Sequence, residues 1–427
     1  MSVAADRHQR WLSGENPTKE KMENSENVSI EIPGDVRSIL NTLEGAGFEA
    51  YIVGGCVRDS ILGRTPSDWD ITTSALPAQV KSLFPNTADN GIKHGTVMVI
   101  KHGRACEVTT YRIDGIYKDG RHPESVCFTP SLEEDLKRRD FTVNAFAYSE
   151  RTGIVDLFDG LSDLKSGIVR AVGDPKKRFS EDALRMMRAV RFSAQLSFKI
   201  EKDTENAIRG FAKQLSLISR ERILAEFEKT LFSDNPGYVN RFEELDLAEY
   251  IIPGHAEECF LTDSVPLYES LSGSALSSGK KELMLAAFFK ELDFSLCRGV
   301  MRKMTFDNRT AETVCAILKY KDYPFNPDEI SVRGALRQMG TCTLKLVLAF
   351  NEARGKDVSV VRNILEKILE RGDAFCVSML DINGTELMEA GVPEGREIGF
   401  TLEKLLDAVT ADPSLNKKEK LFELIQK

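Results

Sequence analysis

Long apolar runs, paired cysteines and abundant histidine are what this sequence lacks. No apolar stretch approaches the ~18 residues that a membrane helix needs, so a membrane protein is not expected. Met1 to Glu31 is polar and has no apolar core of the kind secretory signals carry; it reads as a loose tail, and the cytoplasm is the expected compartment. The eight cysteines (Cys56, Cys106, Cys127, Cys259, Cys297, Cys315, Cys342, Cys376) are scattered, with no Cys-x-x-Cys pair. That spacing argues against a zinc ribbon and a disulfide scaffold and leaves reduced structural thiols. The five histidines (His8, His94, His102, His122, His255) include no His-Asp pair, which makes a histidine-metal phosphohydrolase improbable. No solenoid-length repeat is visible, and the only low-complexity patch is a Ser/Gly segment from Leu271 to Gly279.

What is there is an ordinary soluble composition, 42% hydrophobic and 29% charged over 427 residues, enough for two or more domains. The net charge of −9 counts against a nucleic-acid partner, because phosphate binding rests on clustered Lys and Arg. Charge is nevertheless unevenly spread: Lys137-Arg138-Arg139, Lys176-Lys177-Arg178, Arg185/Arg188/Arg191 and Lys417-Lys418 can build an electropositive cleft on an acidic protein.

From Gly34 to about Gly173 short helical and strand patterns alternate. Val36, Ile39, Leu40 and Leu43 repeat at helical spacing, Ala50 to Val53 reads as a buried strand ending at Gly54-Gly55, and a helix through Val57, Ile61 and Leu62 stops at Gly63. Further strands are expected at Asp68 to Thr72, Thr96 to Lys101, Cys106 to Tyr111 and Ile168 to Val172. Beyond Ser180 helical periodicity dominates. The predicted fold is an α+β head followed by an all-α remainder.

Three constellations carry chemistry. In the first, Gly54-Gly55 at a strand-to-helix turn lets backbone N–H groups approach phosphate oxygens, with Arg58 one turn into the helix; alone, the glycines would suit any tight turn. Asp68 and Asp70, two apart in an extended stretch, project from one face and would repel without a cation between them. Magnesium fits such a pair when phosphate oxygens complete its shell, although an Asp-x-Asp on a solvated edge strand is common. Glu107, opening another strand, is a possible third carboxylate at even odds with a structural role. The second is Glu133 to Ala145, where Arg139-Asp140 runs into Phe141, Val143 and Ala145, placing a guanidinium at a core boundary. The third runs from Ser180, read as an N-cap, to Phe192. On one helix Asp182, Arg185, Arg188 and Arg191 form a slanting polar stripe beside Leu184, Met187 and Val190. Asp182 could accept from the amino group of cytosine or adenine while Arg185 donates to the ring; the plain alternative is an intrahelical Asp182–Arg185 ion pair.

With these motifs in this order over roughly Tyr51 to Phe192, the chain resembles the class II tRNA nucleotidyltransferase and bacterial poly(A) polymerase family, of the polymerase-β superfamily. The resemblance implies a nucleotidyltransferase head (32–173) behind a tail (1–31), a helical neck that selects the base (174–235), and a helical body and tail that hold tRNA (236–427). It implies CTP and ATP as substrates and Mg2+ as cofactor. Residue by residue, Gly55 and Arg58 resemble the phosphate-contacting turn, Asp68 and Asp70 the catalytic metal ligands, and Arg139 the sugar and triphosphate contact. Asp182 and Arg185 resemble the amino-acid template for C and A, with Arg188 and Arg191 as further nucleotide contacts. Gly91 to Thr96 and a full loop from Arg112 to Pro123 resemble enzymes that add the whole CCA; those adding only CC have that loop shortened. The basic Gly-Arg-Arg-Phe element of the poly(A) branch is not found after Thr110. Polyadenylation, partial CC or A addition, and an RNA-binding protein with an inactive head remain the alternatives. Trp69 and Cys56 are not choices the family pattern predicts, no motif is recognisable beyond about Gly210, and the oligomeric state stays open, a homodimer being one option.

Overall fold

The computed structural model describes residues 29–89, 91–101, 103–115, 126–273 and 278–425. The expected tail up to residue 28 and positions 116–123 of the Arg112 to Pro123 loop lie outside the described residues. The chain divides into two compact units, Met1–Val265 and Pro266–Lys427.

In the first unit the strands are β1 (Ala50–Val53), β2 (Asp70–Thr73), β3 (Thr87–Ala88), β4 (Thr96–Lys101), β5 (Arg104–Thr110), β6 (Arg112–Asp114), β7 (Val126–Phe128), β8 (Phe146–Ser149), β9 (Gly153–Asp156), β10 (Ile168–Val169) and β11 (Lys199–Ile200). Among the described residues the order β3-β4-β5-β2-β1-β8-β9 makes a seven-stranded sheet, with β6-β7 and β10-β11 as separate two-stranded pieces. β1 lies between β2 and β8, antiparallel to both, and all four of its residues are buried, as an unbroken apolar strand requires. Around the sheet run α1 (Gly34–Gly45), α2 (Gly55–Ile61), α3 (Pro77–Leu83), α4 (Leu132–Lys137) and α5 (Gly160–Ser166). α1 buries Val36, Ile39, Leu40 and Leu43, the set its 3.6-residue periodicity marks.

The expected strand from Ile168 to Val172 is shorter than its sequence suggests. Only Ile168–Val169 pairs in a ladder, parallel to β11; the following residues bond across to the Asp140–Thr142 segment, with an isolated bridge between Phe141 and Ala171. That cross-link ties the Arg139-Asp140 segment to the start of the helices that follow.

Those helices are α6 (Pro175–Glu181), α7 (Leu184–Leu196), α8 (Lys202–Phe211) and α9 (Arg220–Leu231). The single helix expected from Ser180 is in fact two. Asp174 caps α6 by accepting from the Lys176 N–H at 3.0 Å with Pro175 at the first position, so that helix begins earlier, and Ser180 falls in its last turn. Asp182 is extended at φ −141 and breaks the run. Phe227, Phe242 and Phe260 form an aromatic cluster beneath α9.

The second unit is helical throughout its described residues. Its longer helices are Lys280–Phe288, Phe294–Lys303, Asn308–Tyr320, Glu329–Ala353, Ser359–Arg371 and Arg396–Ala411. One core gathers Leu336, Leu344, Val347, Leu365 and Ile368, and another Leu387, Leu405, Val409 and Leu421. The α+β head and helical remainder are thus as expected, β11 being the strand in the helical part that the periodicity did not reveal. No helix among the described residues is long and apolar enough to cross a membrane.

Gly54, between β1 and α2, has φ +80, where a side chain is disfavoured, and a Cβ there would come 3.1 Å from a guanidinium nitrogen of Arg139. Gly54→Ala is expected to lower stability by about 1–3 kcal/mol, seen as a reduced urea midpoint at unchanged slope. A midpoint equal to wild type would show that the turn needs no glycine.

Candidate active site

The carboxylates sit at the end of the sheet where β1 turns away. β2 begins at Asp70 and not at Asp68 as expected, because beyond the Ile52–Ile71 pair β1 is about to turn at Gly54 and leaves Asp68 and Trp69 no antiparallel partner. The alternation still holds. Trp69 is buried at 8% exposure, while Asp68 and Asp70 are exposed. The odd-looking tryptophan is therefore the inward anchor that turns both acids outward.

β2 runs parallel to β5 with Asp70 in register with Glu107. Solvent reaches one side of Asp70, yet enough protein surrounds its carboxylate that desolvation pushes its pKa above the ordinary value, with Glu107 and then Asp68 adding repulsion and Arg139 opposing. Three acids are thus coupled at one place, and Glu107 has the position that a third carboxylate needs. Among the described residues no group of three or more His, Cys, Asp or Glu side chains is already gathered into a metal cage. A cage of that kind is not what the donor set resembles. Hard carboxylate oxygens, mutually repelling and open to solvent, fit a divalent cation held by one or two acids and completed by substrate phosphates. Cys56 lies under the turn with its thiol bonded to the Val53 carbonyl, and burial pushes it up to about 11, an inert structural thiol.

The phosphate-turn residues converge on the same corner. Arg58, buried at 8% exposure, forks onto Asp59 at 2.9 Å through Nε and Nη2 and donates to Asn144. Arg139 packs against Gly54, donates to Asp135 at 3.3 Å, and keeps a buried Nε without a partner among the described residues. Asp135 is fully buried yet charged: burial opposes its ionisation, but Arg138 and Arg139 hold the carboxyl below its usual range.

The arginine stripe of α7 is less free than its sequence suggests. Arg185 donates to Glu181 at 2.6 Å and to the backbone carbonyls of Arg178 and Arg138. Arg188 grips Asp140 at 2.6 and 2.7 Å; burial works against both charges, and the pairing nevertheless lowers the Asp140 pKa and raises that of Arg188. Arg191 pairs with Glu226 of α9 at 3.2 Å, and burial together with Arg188 lowers it to about 10. The guanidiniums of Arg58, Arg188 and Arg191 all lie over the Phe192 ring, at 5.2, 5.3 and 4.2 Å from its centroid. Repulsion along the stripe is thereby distributed onto one carboxylate each and a shared aromatic face.

Asp182 does not pair with Arg185. It accepts from the Leu184 N–H at 3.0 Å, capping α7, and from Arg222 of α9 at 2.8 Å. Because the helix breaks there, Asp182 lies off the stripe expected on an unbroken helix, but its carboxylate is half-buried and held from two sides at the head of α7.

The sequence also matches known families. Family profiles match in succession: Poly A polymerase head domain over residues 50–170, probable RNA and SrmB-binding site of polymerase A over 197–259, and tRNA nucleotidyltransferase domain 2 over 278–425. The chain is 40% identical over 391 residues to the CCA-adding enzyme of Leuconostoc mesenteroides, an alignment that covers 91% of this chain and 94% of that protein. The chain belongs to the CCA-adding enzyme family. Its similarity to the Lactiplantibacillus plantarum CCA-adding enzyme reaches 56% over 212 residues, 49% of this chain and 52% of the other. The solved structure of the Bacillus stearothermophilus CCA-adding enzyme in complex with CTP superposes with a TM-score of 0.79 at 34% identity, covering 92% and 96% of the two chains. As a family member the chain is a nucleotidyltransferase, and the family implies a divalent metal.

Arg222 and Glu226, which fix Asp182 and Arg191 from α9, were not picked out from sequence. Their spacing of four along an amphipathic helix was visible, but nothing in a lone sequence says which acid or arginine faces them.

The crowding at Asp70 gives a prediction with a definite sign. Its folded pKa is raised, so its contribution to stability is fully present below the unfolded value and is lost as pH rises through the folded one. At pH 7 without metal, Asp70→Asn should raise Tm by up to a few degrees, whereas added divalent cation should stabilise the wild type and not the variant. Differential scanning calorimetry in chelator decides; a lower Tm for the variant contradicts the crowding.

Proposed function

We propose that this chain adds C, C and A to the 3′ end of tRNA from CTP and ATP with release of pyrophosphate. The observation that carries the reading is the meeting, at one end of the sheet, of Asp68 and Asp70 with Glu107 in register and Arg139 packed on the Gly54 turn. Similarity to CCA-adding enzymes along nearly the whole chain supports the substrate assignment, and a reaction on tRNA is consistent with a cytoplasmic enzyme.

Asp68 and Asp70 would hold Mg2+, with Glu107 reinforcing the negative potential, and a cation there would supply acidification of the attacking 3′-hydroxyl and neutralisation of the leaving pyrophosphate. The Gly54-Gly55 turn, Arg58 and Arg139 line the triphosphate; the buried unpartnered Nε of Arg139 is a donor still available to an oxygen acceptor. Arg188 and Arg191 keep that region positive while their paired acids hold them in place.

Base selection falls to Asp182 and Arg185. Arg222 fixes the Asp182 carboxylate, and its remaining lone pairs accept from the exocyclic amino group that cytosine and adenine share and uracil and guanine do not present in that place. Arg185 exchanges part of its contact with Glu181 for a ring acceptor. The head spans 32–173 and the neck 174–235, while 236–427 holds tRNA, in keeping with the tRNA nucleotidyltransferase domain 2 profile there.

Two measurements test this. Sequencing the 3′ ends made from tRNA lacking CCA, with all four triphosphates present, should return CCA; a homopolymer of A or a stop after CC overturns the assignment. Asp182→Ala should relax discrimination against UTP and GTP by about 10- to 100-fold, the ~1–3 kcal/mol typical of a lost base contact, more than it weakens triphosphate binding. Full selectivity in the variant removes Asp182 from the template.

A further inference from the structure

Away from the carboxylates, α7 and α9 leave a cleft of about 370 Å³ between them, lined by Gln195, Ala225, Glu228, Lys229, Phe232 and Ser233. Three properties set it apart from an ordinary groove between packed helices. Phe232 is 38% exposed at the end of α9, where an aromatic ring would normally be turned into the core. Lys229 is exposed and lines the cleft with it, and the guanidinium of Arg64 donates to the Gln195 carbonyl at 3.1 Å, so one cation stands on the α9 side and a second is bonded to the α7 side. Arg64 also lies only four residues before Asp68, a span of at most about 14 Å along the chain. The side of the cleft at Gln195 is therefore tied to the segment that delivers the catalytic acids.

An apolar ring and a lysine in one cleft, with an amide and a carboxylate close by and an arginine bonded to the facing helix, suit a nucleobase on a phosphodiester backbone. Single-stranded nucleic acid is held by stacking bases on aromatic side chains and by cations that follow the backbone. Gln195 and Glu228 offer donors and acceptors to a base edge, Lys229 and Arg64 offer charge to phosphates, and Phe232 offers a face. Five of the six lining residues, all but Gln195, fall in the segment matched by the probable RNA and SrmB-binding site profile. A free nucleotide fits less well. Its triphosphate would have to lie near Glu228, whereas a strand passing through presents one phosphate at a time to Lys229 and Arg64.

We propose that the α7–α9 cleft is a second RNA subsite, in which an unpaired base of the tRNA acceptor end, upstream of the reacting 3′-hydroxyl, stacks on Phe232. The inference rests on the assignment of tRNA as substrate. Its role is to hold the strand in line with Asp68 and Asp70 as the end grows, and the nucleobase of the incoming triphosphate plays no part in it.

The test uses the full chain and a tRNA transcript ending at CC with 2-aminopurine at the unpaired position before the two cytidines. Wild type should quench the fluorophore on binding. Phe232→Ala should lose most of that quenching and raise KM for tRNA about tenfold, the order expected for one stacked base, with KM for ATP unchanged; Phe232→Trp should restore both. Lys229→Gln should weaken tRNA binding and flatten its salt dependence by about one counterion. Circular dichroism and CTP binding by all three variants control for folding. Quenching and KM in Phe232→Ala equal to wild type overturn the subsite. Failure of wild type itself to extend this tRNA overturns the assignment of substrate instead, so the two failures are told apart.

Discussion

Repulsion among like charges at the end of one sheet is the constraint on which the site depends. Parallel pairing of β2 with β5 sets Asp70 beside Glu107, and the turn of Trp69 into the core leaves Asp68 on the same side. Folding alone gains nothing from this crowding, since burial and two neighbouring acids raise the pKa of Asp70. A protein keeps such an arrangement where a cation and polyanionic substrate relieve it. The surrounding architecture follows: Gly54 lets Arg139 approach, and Asp135 keeps that guanidinium facing the corner.

The opposite principle governs the arginine helix. There, three guanidiniums of α7 and the neighbouring Arg58 would repel if left bare, and each is anchored by an acid: Arg185 by Glu181, which Arg178 shares, Arg188 by Asp140, Arg191 by Glu226, and Arg58 by Asp59. Phe192 adds a common aromatic face beneath three of them, and its edge contact with Phe141 ties the helix to the Arg139-Asp140 segment. These pairs are buried well enough that a triphosphate entering the corner meets fixed dipoles and charges in place of flexible surface side chains. Preorganisation of this kind is what lets an electrostatic site act on developing charge without rearranging.

Most of the site was legible in the sequence, because its parts are local. A glycine pair after a buried strand, two aspartates around an apolar residue, and an acid followed by arginines at helical spacing are patterns of a few residues each. What sequence alone did not show was pairing across distance. The break at Asp182 came from Asp174 and Pro175 starting a helix six residues earlier than Ser180 would, and the partner of Asp182 lies forty residues away on α9. The strand after Gly167 was overestimated for a similar reason: its later residues bond to the Asp140 segment and not to a ladder. Glu107 is in register with Asp70 across β2–β5, a pairing that neither stretch of sequence shows by itself.

Direct observation of cation capture tests the central claim most sharply. Mn2+ titrated into the protein with a non-hydrolysable CTP analogue, and followed by electron paramagnetic resonance, should bind stoichiometrically to wild type and to Asp182→Ala. Replacing Asp68 and Asp70 together by Asn should abolish that binding. Undiminished Mn2+ binding in the double variant would place the cation elsewhere and contradict the account.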